Sequence, residues 1–244
     1  KHYLTTIGIR NNLIMKTFRE YYKDTELDER QDQEQKETKE FTATFGRFNP
    51  PTIGHEKLLN KVEEFAGGGD FKIFVSQTHQ DKKDPEDQLF KDPIPYDDKV
   101  KFMKAMFPAF EDDIVYDTNI RTLWDILTQA YDNGYTKFTL VVGDDRLGTM
   151  TELIKKYHGK EGAHGFYEFP DGLEFKTAGK RVKGAKGVEG MSASKMRQLV
   201  KNNDEQGFFD ALPDGFIYKR ELFDAVNGGL GWPSDEEVAA IRGF

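Results

Sequence analysis

The sequence predicts an α/β fold: a doubly wound parallel sheet with helices on both faces, preceded by a charged N-terminal arm and followed by a small helical extension. Three observations predict it. From Phe41 onward, apolar runs of strand character alternate with amphipathic stretches of ten or more residues. Connections of that length join parallel strands through right-handed crossovers. The run FTLVVGDD, at 138–145, is strongly apolar, as strands buried on both faces are.

Residues 1–40 read as an arm. FREYYKDTELDERQDQEQKETKE, at 18–40, is almost wholly polar after its first aromatics, so a solvated helix or disorder is expected. Met15 stands where a natural start would fall. FTATFGRF, at 41–48, alternates apolar and polar residues and reads as the first strand. GHEKLLNKVEEFA carries Leu58, Leu59, Val62 and Phe65 at helical spacing and is stopped by GGGD. FKIFVSQ is the second strand, and THQDKKDPEDQLFKDPIP is a long polar loop.

YDDKVKFMKAMFPAF is a second amphipathic helix, with Val100, Met103, Ala105 and Met106 facing inward. DIVYD is the third strand. TLWDILTQAYDNG is a helix that stops at Asn133-Gly134, with Trp124 in the core. FTLVVGDD is the fourth strand. GFYEFPDGLEFKTAG reads as two short strands with a turn at Asp171-Gly172. MSASKMRQLVKNN is a helix that follows a Gly-rich basic loop, and the remainder to Phe244 reads as short helices and turns.

Composition narrows the function classes. The chain has 244 residues, enough for one well-filled core with appendages. It has no cysteine, which excludes disulfides and cysteine-based metal sites and agrees with a reducing compartment. The net charge of -8 argues against non-specific coating of DNA or of an anionic membrane, so neither is expected as a partner. No stretch approaches the roughly 20 apolar residues of a membrane span. KHYLTTIGIRNNLIM lacks the pattern of a secretory signal, so a soluble, cytoplasmic protein is expected. His79, His158 and His164 have no metal-ligand spacing, and no protein-held metal is expected.

Two stretches carry the candidate chemistry. FGRFNPPTIGHEKLL, at 45–59, lies where the first strand hands over to a helix, and parallel sheets bind ligands at the carboxyl ends of their strands. Gly46 permits close approach of the backbone, and Pro50 and Pro51 stiffen the entry. Thr52 is a reasonable helix cap, and Thr52 and His55 share one helical face. Gly54 leaves room between them, and the first turn of a helix favours an anion. The plain alternative is a strand–loop–helix junction with an incidental histidine. In GMSASKMRQL, Ser192 and Ser194 can cap a helix, and Lys195 and Arg197 set cations beside its first turn. The upstream loop adds Lys180, Arg181, Lys183 and Lys186; the alternative there is an ordinary capped surface helix.

Thr52-Ile53-Gly54-His55 resembles the "His or Thr, any residue, Gly, His" signature of the nucleotidylyltransferase superfamily, in the Thr form of its phosphopantetheine adenylyltransferase branch. GRFNPP resembles the entry segment of nicotinamide mononucleotide adenylyltransferases. Met191-Ser192-Ala193-Ser194-Lys195-Met196-Arg197 is similar to the superfamily's second motif, with Ala193 replacing a hydroxyl residue. Both stand in the superfamily's order, and the resemblance covers roughly residues 41–200. The first stretch also resembles nucleotidyltransferases of large tailed phages, which would place the protein in a host cytoplasm.

The resemblance implies a Rossmann-like nucleotidylyltransferase domain at 41–200, with the arm at 1–40 and a helical extension at 201–244. It implies transfer of AMP or CMP from ATP or CTP to a phosphorylated small-molecule acceptor, with Mg²⁺ accompanying the triphosphate. His55, Thr52 and Arg197 would act catalytically. Gly46, Arg47, Phe48, Gly54, Gly143, Asp145, Met191, Ser192 and Ser194 would bind the nucleotide. Lys82 and Lys83 match a mobile phosphate-binding lysine of some relatives, with plain surface solvation as the alternative. DPIPYDDKVKFM resembles a substrate-side segment, with Lys99 where the superfamily has Arg. Homo-oligomerisation is left open. Two other classes compete. One is a non-catalytic nucleotide-binding or assembly protein that kept the fold. The other is a class I aminoacyl-tRNA synthetase, whose Met-Ser-Lys-Ser loop GMSASK also resembles.

Overall fold

The computed structural model describes residues 38–83, 85, 89–144, 146–179 and 191–231. The arm expected at 1–40, except its last residues, therefore lies outside the described residues, as do Asp145, the basic loop at 180–190 and the chain beyond 231. From Lys39 onward the described residues form one unit, built on five strands: β1 (Glu40–Gly46), β2 (Asp70–Val75), β3 (Ile114–Val115), β4 (Lys137–Val142) and β5 (Gly172–Thr177). All are parallel, in the order β3-β2-β1-β4-β5. In register, Gly46 lies opposite Val75 on one side, and Phe41 lies opposite Phe138 on the other.

The helices are α1 (Glu56–Ala66), α2 (Tyr96–Met106), α3 (Leu123–Asp132), α4 (Leu147–Tyr157), α5 (Ala193–Lys201), α6 (Glu205–Asp210) and α7 (Lys219–Gly229). The chain winds outward from β1 to β3 and returns to place β4 beside β1. That reversal is a topological switch point, where connecting loops part and a crevice opens beyond the strand ends. Among the described residues no helix is long and apolar enough to cross a membrane.

Strand alternation feeds two cores. Ile73 and Val75 of β2 pack with Leu59, Val100, Met103, Met196, Phe208 and Val226 on one face. Phe74 of β2 joins Phe41, Ala43, Ile126, Phe138, Leu140 and Ile154 on the other. Residues of α5, α6 and α7 thus belong to the first core, so the segment after residue 200 covers the sheet along with α1 and α2. The α1 helix ends at Gly67, whose φ of 59° is the left-handed cap that the GGGD stop anticipates.

Several local expectations change. Leu58, Phe65 and Ala105 are only half-buried, while Phe102 and Lys99 are buried in their stead. GFYEFPDGLEFKTAG contains one strand, not two. β4 offers pairing only from Lys137, opposite Gly172, so residues 166–171 stay irregular and bury Tyr167 and Phe169 in the second core. Helix α4 was not anticipated, although Leu147, Met150 and Ile154 recur at helical spacing along one side and pack on that core.

Candidate active site

A cavity of about 500 Å³ opens at the switch point, beyond the carboxyl ends of β1 and β4. The first wall is the loop after β1. Phe48 has φ of 45° and folds its ring back over Gly46, where a Cβ would meet ring atoms at 2.6 Å. A side chain at position 46 would therefore displace the buried Phe48 ring. The Phe48 ring meets His55 edge-on, with 4.9 Å between centroids.

His55 ends a short 3-10 turn, Ile53–His55, that leads into α1. Its Nδ1 accepts the backbone N–H of Thr52 at 2.9 Å, and the Thr52 hydroxyl lies 3.0 Å away. A backbone N–H can only donate, so Nδ1 is the acceptor and the neutral ring carries its proton on Nε2. The 3.2 Å approach of Nδ1 to the Thr52 carbonyl is then a contact and not a hydrogen bond. Thr52 is 1% exposed and stands behind the ring, outside the cavity lining. Its role is to hold the imidazole.

The second wall is the start of α5. Ser192 caps it and accepts the Lys195 N–H at 3.2 Å. Arg197 donates from Nη2 to Ser194 Oγ at 3.1 Å and from Nη1 to the Asn49 carbonyl at 2.7 Å. The two walls also touch at Gly54, where a Cβ would lie 2.7 Å from the Met191 carbonyl. On its Cβ side, where room for a base or phosphate is expected, Gly54 thus meets the backbone of the second stretch. Met191 packs half-buried against the first core and does not line the cavity.

Of the residues singled out from the sequence, Gly46, Arg47, Phe48, Gly54, His55, Gly143, Ser192, Ser194 and Arg197 line this one cavity. Asp145 is outside the described residues. Its neighbour Asp144 accepts the Thr177 hydroxyl at 2.8 Å and joins the ends of β4 and β5. Lys82 and Lys83 do not line the cavity. Residue 83 pairs with Phe90 in an isolated bridge, and the Lys83 ammonium sits 5.0 Å above the Phe90 ring. From the same loop it is Lys91 that reaches the cavity.

Two lining lysines of α1 escaped the sequence reading. Lys57 and Lys61 are four apart on α1 and so share a face, a signal that was present. Arg146 follows β4. With Arg47, Lys91 and Arg197 they give six basic residues against two acidic ones, Glu56 and Asp92, in a chain of net charge -8. Such a surplus concentrates anions.

Asp92 is 2% exposed; its Oδ2 lies 3.7 Å from Arg47 Nη1, and its Oδ1 has no hydrogen-bond partner among the described residues. Behind it, Lys99 is fully buried and donates to the carbonyls of Ser76 at 2.5 Å and Thr78 at 2.9 Å. Burial pushes the Lys99 ammonium down to about 8, with Asp92 pulling the other way and Arg47 adding to the fall. Among the described residues no group of three or more His, Asp or Glu side chains is placed to hold a metal.

No protein-family model and no curated protein sequence matches this chain. Solved structures do. Nicotinic acid mononucleotide adenylyltransferase from Plasmodium falciparum, complexed with NaAD, matches with a TM-score of 0.50 and 15% identity, over 76% of this chain and 98% of that one. The likeness is one of fold.

Proposed function

We propose that this protein is a nucleotidylyltransferase that moves AMP or CMP from a magnesium-bound triphosphate to a phosphorylated small molecule. One observation carries the reading: His55 and Arg197, from opposite ends of the domain, border one basic cavity at the switch point of a parallel sheet. A phosphate oxygen of the acceptor attacks the α-phosphorus and forms the new P–O bond. The bond from that phosphorus to the bridging oxygen breaks, and pyrophosphate leaves with its electron pair. No nucleophile on the protein is needed.

The protein's task is to align the groups and to neutralise charge that grows on the non-bridging and leaving oxygens. His55 supplies an Nε2 donor to the α- and β-phosphates. Arg197, Ser192 and Ser194 hold the β- and γ-phosphates, and Arg47 stands where either substrate presents a phosphate. Magnesium arrives as part of the triphosphate substrate, bound mainly by phosphate oxygens and water. Nicotinic acid mononucleotide, named in the structural neighbour, is the first acceptor to try. Pyrophosphate release should be measured with ATP and with CTP against nucleotide, pantetheine and sugar phosphates. Binding of a triphosphate without release for any acceptor would convert the reading to a nucleotide-binding protein.

A further inference from the structure

Asn49 is 2% exposed and joins three segments that are far apart in sequence. Its carboxamide grips the backbone of one residue twice: Nδ2 donates to the Ile94 carbonyl at 2.9 Å, and Oδ1 accepts the Ile94 N–H at 3.0 Å. Ile94 lies between Pro93 and Pro95, which have no N–H, so it is the one backbone donor of that run. The Asn49 carbonyl accepts Nη1 of Arg197 at 2.7 Å. Two residues away on each strand of this staple, Arg47 faces Asp92 at 3.7 Å. The loop at 47–49 and the segment at 92–94 are thus clamped together, and the guanidinium of α5 rests on the clamp.

We propose that Asn49 is a positioning residue, which sets the place and direction of the Arg197 guanidinium by fixing the carbonyl that it stands on. The carbonyl belongs to the residue whose side chain is stapled to Ile94, so the staple helps to hold it in place. Arg197 keeps its fork orientation because one prong is tied at Asn49 and the other at Ser194. The inference rests on the nucleotidylyltransferase reading only for what Arg197 grips.

Two substitutions separate positioning from general support of the fold. Asn49→Ala removes both bonds to Ile94. Asn49→Asp keeps the shape but sets a carboxylate oxygen against the Ile94 carbonyl. Protonation of that acid restores a donor, and burial beside a carbonyl raises its pKa. Asn49→Asp should therefore regain the wild-type arrangement as pH falls from about 8 to about 5.5, which Asn49→Ala cannot do. The charged groups near the site are Arg47 on the same loop, Lys91 and Asp92 on the facing segment, Lys99 behind it, Arg197 on α5 and His55. Division by wild type at each pH removes the pH dependence common to both proteins.

The experiment has two arms. In the first, Mg-ATP and Mg-CTP are titrated calorimetrically into the full chain. Asn49→Ala should weaken the triphosphate that wild type binds by about tenfold or more, and by less than about twofold once Arg197→Ala is present. Equal losses in the two backgrounds, or no loss, would overturn the proposal. In the second, the Arg197 side-chain nitrogen signal is followed by NMR without ligand. It should shift and broaden in Asn49→Ala, and return in Asn49→Asp at low pH. An unchanged signal overturns the proposal whatever the protein binds. If Asn49→Ala does not fold, the Asn49→Asp pH series decides alone, recovery supporting the proposal and its absence overturning it. Wild type that binds neither triphosphate would sink the functional reading while the second arm still judged Asn49.

Discussion

The backbone N–H of Thr52 donates to Nδ1 of His55 at 2.9 Å, and this one bond fixes which ring nitrogen carries the proton. Two residues three apart in sequence thereby share the work: Thr52 orients, and His55 presents Nε2–H at the cavity. His55→Ala should lower kcat by about a hundredfold to a thousandfold, because a donor to developing phosphate charge matters most in the transition state. Triphosphate affinity should change much less. Thr52→Val keeps the backbone donor and loses only the hydroxyl, so its loss of kcat should be smaller than that of His55→Ala. Steady-state pyrophosphate release for the two variants checks the order. Turnover of His55→Ala near wild type would reduce the histidine to a junction residue.

Gly54 gives a second prediction. Its φ is not in the left-handed region, so alanine is conformationally allowed, but the added Cβ would stand 2.7 Å from the Met191 carbonyl. That neighbour is backbone and not a flexible side-chain tip, so α5 must shift away from the first loop. Gly54→Ala should destabilise the fold by about 1–3 kcal/mol, as overpacking does, and should weaken triphosphate binding because both walls of the cavity move. Thermal unfolding and calorimetry on the same sample check the pair of effects. Loss of stability with unaltered binding would show that the approach of Met191 to Gly54 is packing alone.

Lys99 gives a pH prediction whose sign follows from burial. Its folded value, about 8, lies below the ordinary 10.5, so between these two the unfolded chain binds the extra proton. Stability then rises with pH in that window. The gain is complete above 10.5 and is lost as pH falls through 8. Relative to Lys99→Met, wild type should gain up to roughly 3 kcal/mol from pH 8 to pH 10.5. The methionine variant also leaves the carbonyls of Ser76 and Thr78 without their donor, an offset that does not vary with pH. Denaturant unfolding of both proteins across the window measures the difference, and parallel curves would contradict the depressed value.

The sheet and the two motif stretches of the cavity wall were legible because their signals are local. Alternation marked β1, a continuous apolar run marked β4, and Thr52, His55 and Ser192 stand at helix starts, where chain direction and capping dictate position. What was not legible depends on long-range contact. Nothing near Asn49 announces that Ile94 or Arg197 will meet it, since neither lies within one period of it. Gly54 read as room for a ligand because the sequence could not show Met191 filling that room. Lys91 was passed over for Lys82 and Lys83, since a polar loop has no period to say which of its cations turns inward.

Arg197 separates gripping from simple charge. Its Nη1 and Nη2 each hold a protein oxygen, on Asn49 and Ser194, so the fork is oriented before any phosphate arrives. A group that binds phosphate in the ground state and the transition state alike affects both binding and rate. Arg197→Ala should therefore lower triphosphate affinity and kcat together. Arg197→Lys keeps the charge, but a single ammonium cannot span Asn49, Ser194 and a phosphate at once. It should recover part of the affinity, which depends on charge, and little of the rate, which depends on direction. Calorimetric titration of Mg-ATP or Mg-CTP gives the first quantity, and pyrophosphate release at saturating triphosphate gives the second. Full recovery of both by lysine would show that the site needs only a positive charge there, and the contacts to Asn49 and Ser194 would then have no bearing on catalysis.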